Sequence, residues 1–95
     1  MTDNQLKEIM GILQEECAEV IQAVSKINRF GLTNAKPGKA KTNQEHLEEE
    51  LGDLIGMINL LCDAGLVDDF SIQRAAIAKL EKLKQWSNIY ENTKT

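Results

Sequence analysis

The amino-acid sequence predicts an all-α protein with three main helices. Three stretches place apolar residues at alternating steps of three and four, which is the period of an amphipathic helix. Capping and stop signals bound each stretch, and no stretch carries the alternating pattern of a β-strand. The 95 residues suffice for one domain with its own core, and we assign residues 1–95 to a single domain.

The first helix is predicted from about Asp3 to Arg29. Thr2 and Gln5 stand three apart and form a capping-box pattern at its start, and Gly31 supplies a stop. A seam of apolar residues, four and three apart, is predicted to be buried: Leu13, Cys17, Val20, Val24 and Ile27.

The second helix is predicted to begin near Asn43, with a capping box at residues 42–45, and to end at Gly65. Its predicted seam consists of Leu47, Leu51, Leu54, Ile55, Ile58 and Cys62. The third helix follows acidic caps at 68–69 and runs through Trp86. Its predicted core stripe consists of Ile72, Ala76, Leu80 and Leu83, supplemented by Ile77. We expect the tail, residues 91–95, to be frayed.

The apolar residues of the first helix cover more than one seam. They are Ile9, Ile12, Leu13, Cys17, Val20, Ile21 and Val24. Two partner helices from so small a chain leave part of this surface open to water, which is unfavourable. We therefore expect self-association to complete the bundle, as a homodimer or a homotetramer.

Each of the first two helices carries two acids, three residues apart, on a face that is otherwise apolar. Glu16 and Glu19 share their stripe with Ile9, Ile12 and Ala23, and Glu50 and Asp53 share theirs with Met57, Leu61 and Ala64. Antiparallel packing would bring the four carboxylates together, and repulsion would raise their pKa values unless a cation lay between them. Oxygen ligands without cysteine or histidine suit Mg²⁺, or alternatively Mn²⁺.

The single histidine, His46, stands four residues before Glu50. A di-iron carboxylate bundle needs a Glu-x-x-His motif on two helices, and this spacing does not provide one. We interpret His46 as a polar residue in the first turn of the second helix, with a role as a metal ligand as the alternative.

The segment from Leu32 to Asn43 is the only one with loop chemistry throughout. It contains Pro37-Gly38 and three lysines, namely Lys36, Lys39 and Lys41. A loop this long inside a small helical domain is often functional. Two interpretations stay open: a solvated basic loop, or a lid whose ammonium groups reach phosphates held on the acidic cluster.

The composition argues against several classes of partner. A net charge of −4 disfavours binding to duplex nucleic acid, which needs basic patches. No apolar run reaches the roughly 20 residues that span a bilayer, and the N-terminal sequence is not that of a signal peptide. We therefore expect a cytoplasmic protein that binds neither nucleic acid nor membrane. Cys17 and Cys62 fall on apolar seams, and we interpret them as buried reduced thiols rather than a disulfide or metal pair.

Two short motifs occur in order on the first two helices. Residues 15–19, EECAE, fit EExxE, and residues 50–53, ELGD, fit ExxD. In this combination the chain resembles the MazG-like all-α nucleoside triphosphate pyrophosphohydrolases, relatives of dimeric dUTPases, dCTP pyrophosphatases and phosphoribosyl-ATP pyrophosphohydrolase. The strings EECAEVIQ, Arg29-Phe30-Gly31 and EELGDL are similar to small stand-alone members, many of them phage-encoded. The resemblance covers roughly residues 6–86.

The resemblance implies Mg²⁺-dependent hydrolysis of a nucleoside triphosphate to a monophosphate and pyrophosphate. It makes four residues the metal ligands: Glu16, Glu19, Glu50 and Asp53. Glu15 is then the acid that orients or deprotonates the attacking water. Glu49 is a competitor for the position of Glu50, but only Glu50 keeps the three-residue spacing to Asp53. Lys79 matches a recurring lysine that contacts phosphate or sugar, and Lys82 is a second candidate.

Two further candidates each have an ordinary alternative. Arg29 could contact phosphate or base, or could complement the dipole at a helix end. Trp86 could stack on a base, or could serve packing. The chain lacks the asparagine that some relatives carry near Leu83, and its lysine loop lengthens the separation between the two motifs; both departures bear on nucleotide selectivity. Two other functions stay open: a phosphoribosyl-ATP pyrophosphohydrolase, or a non-catalytic helical interaction module.

Overall fold

The computed structural model describes residues 1–91, which form three α-helices and no strand. The helices are α1, Asp3–Phe30; α2, Asn43–Asp63; and α3, Asp69–Trp86. The predicted all-α class with three main helices is confirmed, and each helix lies close to its predicted position. Within residues 1–91, no helix combines the length and hydropathy needed to cross a bilayer. The expected frayed tail falls, from residue 92 on, outside the described residues.

The ends of α1 are set by the local signals that the sequence carries. The amide of Gln5 donates to Thr2 Oγ1 at 3.1 Å, and the amide of Thr2 donates to Gln5 Oε1 at 2.8 Å. This is the predicted capping box, which satisfies two amides that the helix itself leaves unpaired. At the other end Gly31 has a φ of +90°, and its amide donates to the carbonyl of Ile27 at 2.7 Å. A residue with a Cβ is strained at such a φ, so glycine suits the stop.

The other two helices begin at the predicted caps. On α2 the amide of Glu45 donates to Thr42 Oγ1 at 3.2 Å, and the amide of Thr42 returns a bond to Glu45 Oε1 at 3.0 Å. The Thr42 hydroxyl also donates to Glu45 Oε1 at 3.1 Å, and the two bonds that this carboxylate accepts from Thr42 lower its pKa below the ordinary value. On α3 the Asp68 carboxylate accepts from the amide of Ser71 at 2.9 Å. All three helices therefore start at side-chain caps that short sequence patterns predict.

The chain divides into two compact units. The first spans Met1–Leu60 and holds α1, the following loop and most of α2. In this unit α1 and α2 run antiparallel: Glu16 and Asp53 face each other, and Lys26, further along α1, shares a cavity with Asn43, further back on α2. The two acidic motifs consequently meet across the helix pair. The second unit begins at Leu61 and holds the end of α2 together with α3.

The buried face of α1 differs from the predicted seam by a fraction of a turn. Three predicted residues are half-buried: Leu13, Val20 and Ile27. The prediction was wrong for Cys17 and Val24, which are exposed in the single chain, because Glu16 and Ala23 turn inward instead. Ala23 is fully buried, and a small side chain at a contact allows helices to approach closely. The stripe that carries the acids is thus part of the packed face.

The seams of α2 and α3 are also only partly as predicted. Leu47, Leu54, Ile58 and Cys62 are half-buried, whereas Leu51 and Ile55 are exposed and Glu50 takes a buried position. On α3 the residues Ile72 and Leu83 are half-buried, but Ala76, Ile77 and Leu80 are exposed. Burial raises the pKa of the Cys62 thiol, with help from nearby aspartates, so this cysteine stays protonated. The interpretation as a buried thiol was wrong for Cys17.

Replacement of Ala23 by leucine tests the packed face of α1. Ala23 is 0% exposed, so the added carbon atoms must displace neighbours, and we expect the free energy of unfolding to fall by about 1–3 kcal/mol. Chemical denaturation measures the change. The matched variant Ala18→Leu alters an exposed position on the same helix and should change stability by less than about 0.5 kcal/mol. Equal effects of the two variants would contradict the assigned face.

Candidate metal centre

Three carboxylates from α1 and α2 meet inside the first unit. Glu16 comes from α1, Glu50 and Asp53 come from α2, and one oxygen atom of each lies within 4.8 Å of the others. The three-residue step from Glu50 to Asp53 puts both on one face of α2. The antiparallel course of α1 then brings Glu16 opposite them. We call these three residues the carboxylate cluster.

Glu50 is the most buried acid of the cluster. It is 7% exposed, and its Oε2 atom accepts no hydrogen bond within residues 1–91. Its other oxygen, Oε1, lies 3.3 Å from His46 Nε2. Burial raises the pKa of Glu50 first, and the neighbouring carboxyl of Glu19 raises it further. A buried carboxylate with an unpartnered oxygen is costly unless a proton or a cation neutralises it.

Glu16 shows the same two features. Its Oε2 atom is buried and, within the described part of the chain, has no hydrogen-bond partner. Burial raises its pKa first, followed by repulsion from Asp53, Glu19 and Glu15. Two residues of the carboxylate cluster therefore each carry a buried oxygen that has no hydrogen-bond partner within residues 1–91. Oxygen-only donors of this kind are the ligands that a hard divalent cation such as Mg²⁺ or Mn²⁺ prefers, so the residues present fit the expected metal.

The other two acids of the first motif lie at the edge of the cluster. Glu19 is exposed and lies close enough to Glu50 to raise its pKa, but it does not join the group of oxygens within 4.8 Å. Glu15 is also exposed, and its charge contributes to the raised pKa of Glu16. The structure thus brings together three of the four predicted ligands and puts the fourth beside them. Their roles in binding metal or water stay predictions.

The two adjacent glutamates of α2 point to different partners. Glu49 forms an ion pair with Lys41, and its side chain is 54% exposed. Glu50 faces the carboxylate cluster instead. Since consecutive residues on a helix leave it about 100° apart, only one of the two can face α1 here.

A basic cavity of about 290 Å³ lies next to the cluster in the same unit. Its lining residues are Lys26, Lys36, Lys39, Lys41, Thr42, Asn43 and His46. The sequence interpretation missed Lys26, and for His46 it favoured a polar residue in the first turn of α2 over a metal ligand. The signal for His46 was its four-residue spacing to Glu50, which puts both side chains on one face of α2.

The remaining candidate residues do not lie in the cluster. The Arg29 guanidinium, in the last turn of α1, stands 5.1 Å from the ring centroid of Phe30, and Arg29 does not line the basic cavity. Lys79, Lys82 and Trp86 belong to α3 in the second unit, where all three are exposed. Their assignment to the substrate stays a prediction.

The raised pKa values predict an unusual dependence of stability on pH in metal-free protein. Glu16 and Glu50 have pKa values above their ordinary value of 4.5, so the folded chain binds more protons than the unfolded chain in that window. The free energy of unfolding therefore falls as pH rises through the raised values. Glu45, whose pKa is lowered, acts in the opposite sense and only below 4.5.

Calorimetry in a chelator checks this dependence. We expect a higher Tm at about pH 5 than at about pH 7. At about pH 7 we expect Tm to rise when Mg²⁺ is added, because the cation neutralises carboxylates that are no longer protonated. A metal-free Tm that is equal or higher at about pH 7, together with no response to Mg²⁺, would contradict the electrostatics assigned to the cluster.

Comparison with known protein families agrees with the motifs and the helical fold. The family model described as the MazG nucleotide pyrophosphohydrolase domain matches residues 4–88, which is most of the chain. Searches among curated proteins and among solved structures gave no significant match. The match extends from the start of α1 to the end of α3 and includes both acidic motifs. This chain therefore belongs to the MazG nucleotide pyrophosphohydrolase domain family.

Proposed function

We propose that the chain is a Mg²⁺-dependent nucleoside triphosphate pyrophosphohydrolase that converts a (d)NTP and water to a (d)NMP and pyrophosphate. Membership of the MazG family supports the nucleotide pyrophosphohydrolase class. The observation that carries the proposal is the carboxylate cluster, in which Glu16 and Glu50 each have a buried oxygen without a hydrogen-bond partner within residues 1–91. A metal-dependent hydrolase needs buried acids of this kind to bind its cation, whereas a non-catalytic interaction module does not need them.

Each acid has a distinct role in the proposed reaction. The cation, Mg²⁺ or alternatively Mn²⁺, would be held by Glu16, Glu50 and Asp53, with Glu19 at the edge. A cation bound there neutralises phosphate oxygens and lowers the pKa of a water molecule. Glu15 accepts the proton from the attacking water. The water oxygen bonds to phosphorus as the anhydride bond between the α- and β-phosphates breaks, and pyrophosphate leaves with the electron pair.

Residues outside the cluster would bind the rest of the substrate. Arg29, Lys79 and Lys82 are cationic and suit phosphate or sugar oxygens, and Trp86 suits stacking against a base. Trp86 is 82% exposed, so its ring is available for such contacts in the single chain.

A homodimer or a homotetramer is part of the proposal. Large apolar side chains stay uncovered on all three helices of the single chain, among them Ile21, Ile55, Phe70 and Ile77, each more than half exposed. Covering such side chains against a second copy would recover the free energy that their exposure costs. Light scattering coupled to size-exclusion chromatography measures the mass, and a monomer at working concentration would contradict this part.

A nucleotide panel tests the proposed activity. The protein is incubated with Mg²⁺ and each common NTP and dNTP, and with phosphoribosyl-ATP, and released pyrophosphate is measured. We expect hydrolysis of at least one nucleoside triphosphate and its loss in chelator. Cleavage of phosphoribosyl-ATP alone would favour that alternative enzyme, and no cleavage by a folded protein would favour a non-catalytic module.

A further inference from the structure

The basic cavity concentrates positive charge in an acidic chain. Four of the 11 lysine and arginine residues line it, although the net charge of the chain is −4. Within residues 1–91, only Lys41 among these four has an acidic partner, which is Glu49. Lys26, Lys36 and Lys39 therefore leave their charges unpaired around one space. Such an arrangement attracts an anion.

A tight turn brings two of these lysines together. The amide of Lys39 donates to the carbonyl of Lys36 at 2.9 Å, and Gly38 between them has a φ of +79°. Pro37 and Gly38 thus occupy the middle of a type II turn, whose third position requires a positive φ and favours glycine. Since the two ends of a β-turn lie within about 7 Å, Lys36 and Lys39 are held close to each other.

The loop that carries the turn is tied to the start of α2. Asn43 Nδ2 donates to the carbonyl of Gly31 at 3.0 Å, and the Asn43 amide donates to the carbonyl of Asn34 at 2.9 Å. The amide of Gln44 donates to the carbonyl of Leu32 at 3.0 Å. These bonds fix both ends of the loop beside α2. The lysines therefore line a formed cavity rather than a freely moving segment.

The cavity borders the carboxylate cluster through His46. This residue lines the cavity, and its Nε2 atom lies 3.3 Å from Glu50 Oε1. Along α2, Asn43, His46, Glu50 and Asp53 follow one another at steps of three, four and three, so they share one face. His46 of the cavity lining thus lies one helical turn, roughly 5 Å along the axis, from Glu50 of the carboxylate cluster.

The size of the cavity suits a small polyanion. About 290 Å³ lies at the lower end of the roughly 300–1,000 Å³ that small-molecule pockets span. Lysine ammonium groups bind phosphate as point charges from several directions. A pair of linked phosphates fits these conditions better than a whole nucleotide.

We propose that this cavity binds the terminal phosphates of the triphosphate substrate and then the pyrophosphate product. The proposal rests on the function proposed above. In it, the ammonium groups of Lys26, Lys36 and Lys39 stabilise the negative charge that accumulates on the leaving diphosphate as the anhydride bond breaks. A cation on the carboxylate cluster and the lysines of the adjoining cavity would then bind different phosphates of the same triphosphate.

Titration of pyrophosphate in the absence of divalent cation tests the site by itself. We expect the double variant Lys36→Gln/Lys39→Gln to bind pyrophosphate about tenfold more weakly than the natural chain, because two charge-assisted contacts are lost. The control Lys7→Gln/Lys84→Gln removes the same charge from exposed positions outside the cavity and should stay within about twofold. No binding to the natural chain, or an equal loss in both double variants, would overturn the proposal.

Kinetics separate a failure of this site from a failure of the proposed function. With a triphosphate that the natural chain hydrolyses, the Lys36→Gln/Lys39→Gln variant should raise KM about tenfold and leave the affinity for the monophosphate unchanged. Unchanged KM and kcat would overturn the cavity assignment and leave the hydrolase intact. Binding of pyrophosphate through these lysines, without hydrolysis of any triphosphate, would support the anion site and count against the proposed function.

Discussion

Replacement of Glu50 by glutamine is expected to lower nucleotide hydrolysis by about 10³-fold and to abolish tight binding of Mg²⁺ to the cluster. Loss of a ligand that contributes several kcal/mol to stabilising the transition state through the metal corresponds to a factor of this order. Without metal, the variant should unfold at an equal or higher temperature than the natural chain, because a buried acid with a raised pKa has been removed. Assays of initial rate, calorimetric titration of Mg²⁺ and thermal unfolding measure the three effects.

Glu48→Gln is the matched control for this change. Glu48 lies on the same helix two residues earlier, is exposed, and does not belong to the carboxylate cluster. Its rate, its affinity for Mg²⁺ and its Tm should stay close to those of the natural chain. Retained hydrolysis in Glu50→Gln would remove Glu50 from the proposed ligands, whatever the control shows.

A second large effect is expected for Glu15→Gln, on kcat rather than on the affinity for Mg²⁺. Glu15 is exposed and lies outside the group of oxygens within 4.8 Å, so its loss should leave affinity for Mg²⁺ nearly unchanged. As the proposed proton acceptor it should matter for turnover, and kcat at saturating Mg²⁺ and substrate should fall by about 10²–10⁴-fold. The contrast with Glu50→Gln, which affects metal binding itself, separates the two roles.

The same variant can also contradict the assignment. An unchanged kcat with unchanged affinity for Mg²⁺ would mean that another group accepts the proton. A loss of metal affinity as large as that of Glu50→Gln would instead make Glu15 a ligand.

The elements that local chemistry controls could be predicted from the sequence. Caps such as Thr2, Thr42 and Asp68 act through bonds within three residues, so the same pattern gives the same helix start in almost any context. The family resemblance is confirmed by the match over residues 4–88. Antiparallel packing of the two acidic motifs was expected to bring four carboxylates together, and Glu16, Glu50 and Asp53 do meet.

What depends on contacts between elements was harder to predict. Cys17 and Val24 were expected to be buried, but the buried face of α1 is rotated by part of a turn and includes Glu16 and Ala23 instead. Hydrophobic periodicity cannot resolve so small an angle on a helix that is apolar over a wide face. Exposure of Leu51 has the same cause. The seams were predicted from hydrophobicity, which gives no weight to an acid such as Glu50 at the packed face.

The basic cavity could not be predicted from the sequence pattern either. The three loop lysines were visible as a group, and binding of phosphate was one of two open interpretations. Lys26, however, reaches the cavity from α1, and only the pairing of α1 with the start of α2 brings it there. Contacts across that pairing join residues far apart in the chain, and no local motif encodes them.

The most direct test of the central claim is the position of a bound cation. Crystals soaked in Mn²⁺ and measured at its absorption edge would show the ion as an anomalous peak. The account predicts a peak at coordination distance, about 2.0–2.4 Å, from carboxylate oxygens of Glu16, Glu50 and Asp53. A hydrolytically active protein whose Mn²⁺ peak lies away from these three side chains would contradict it.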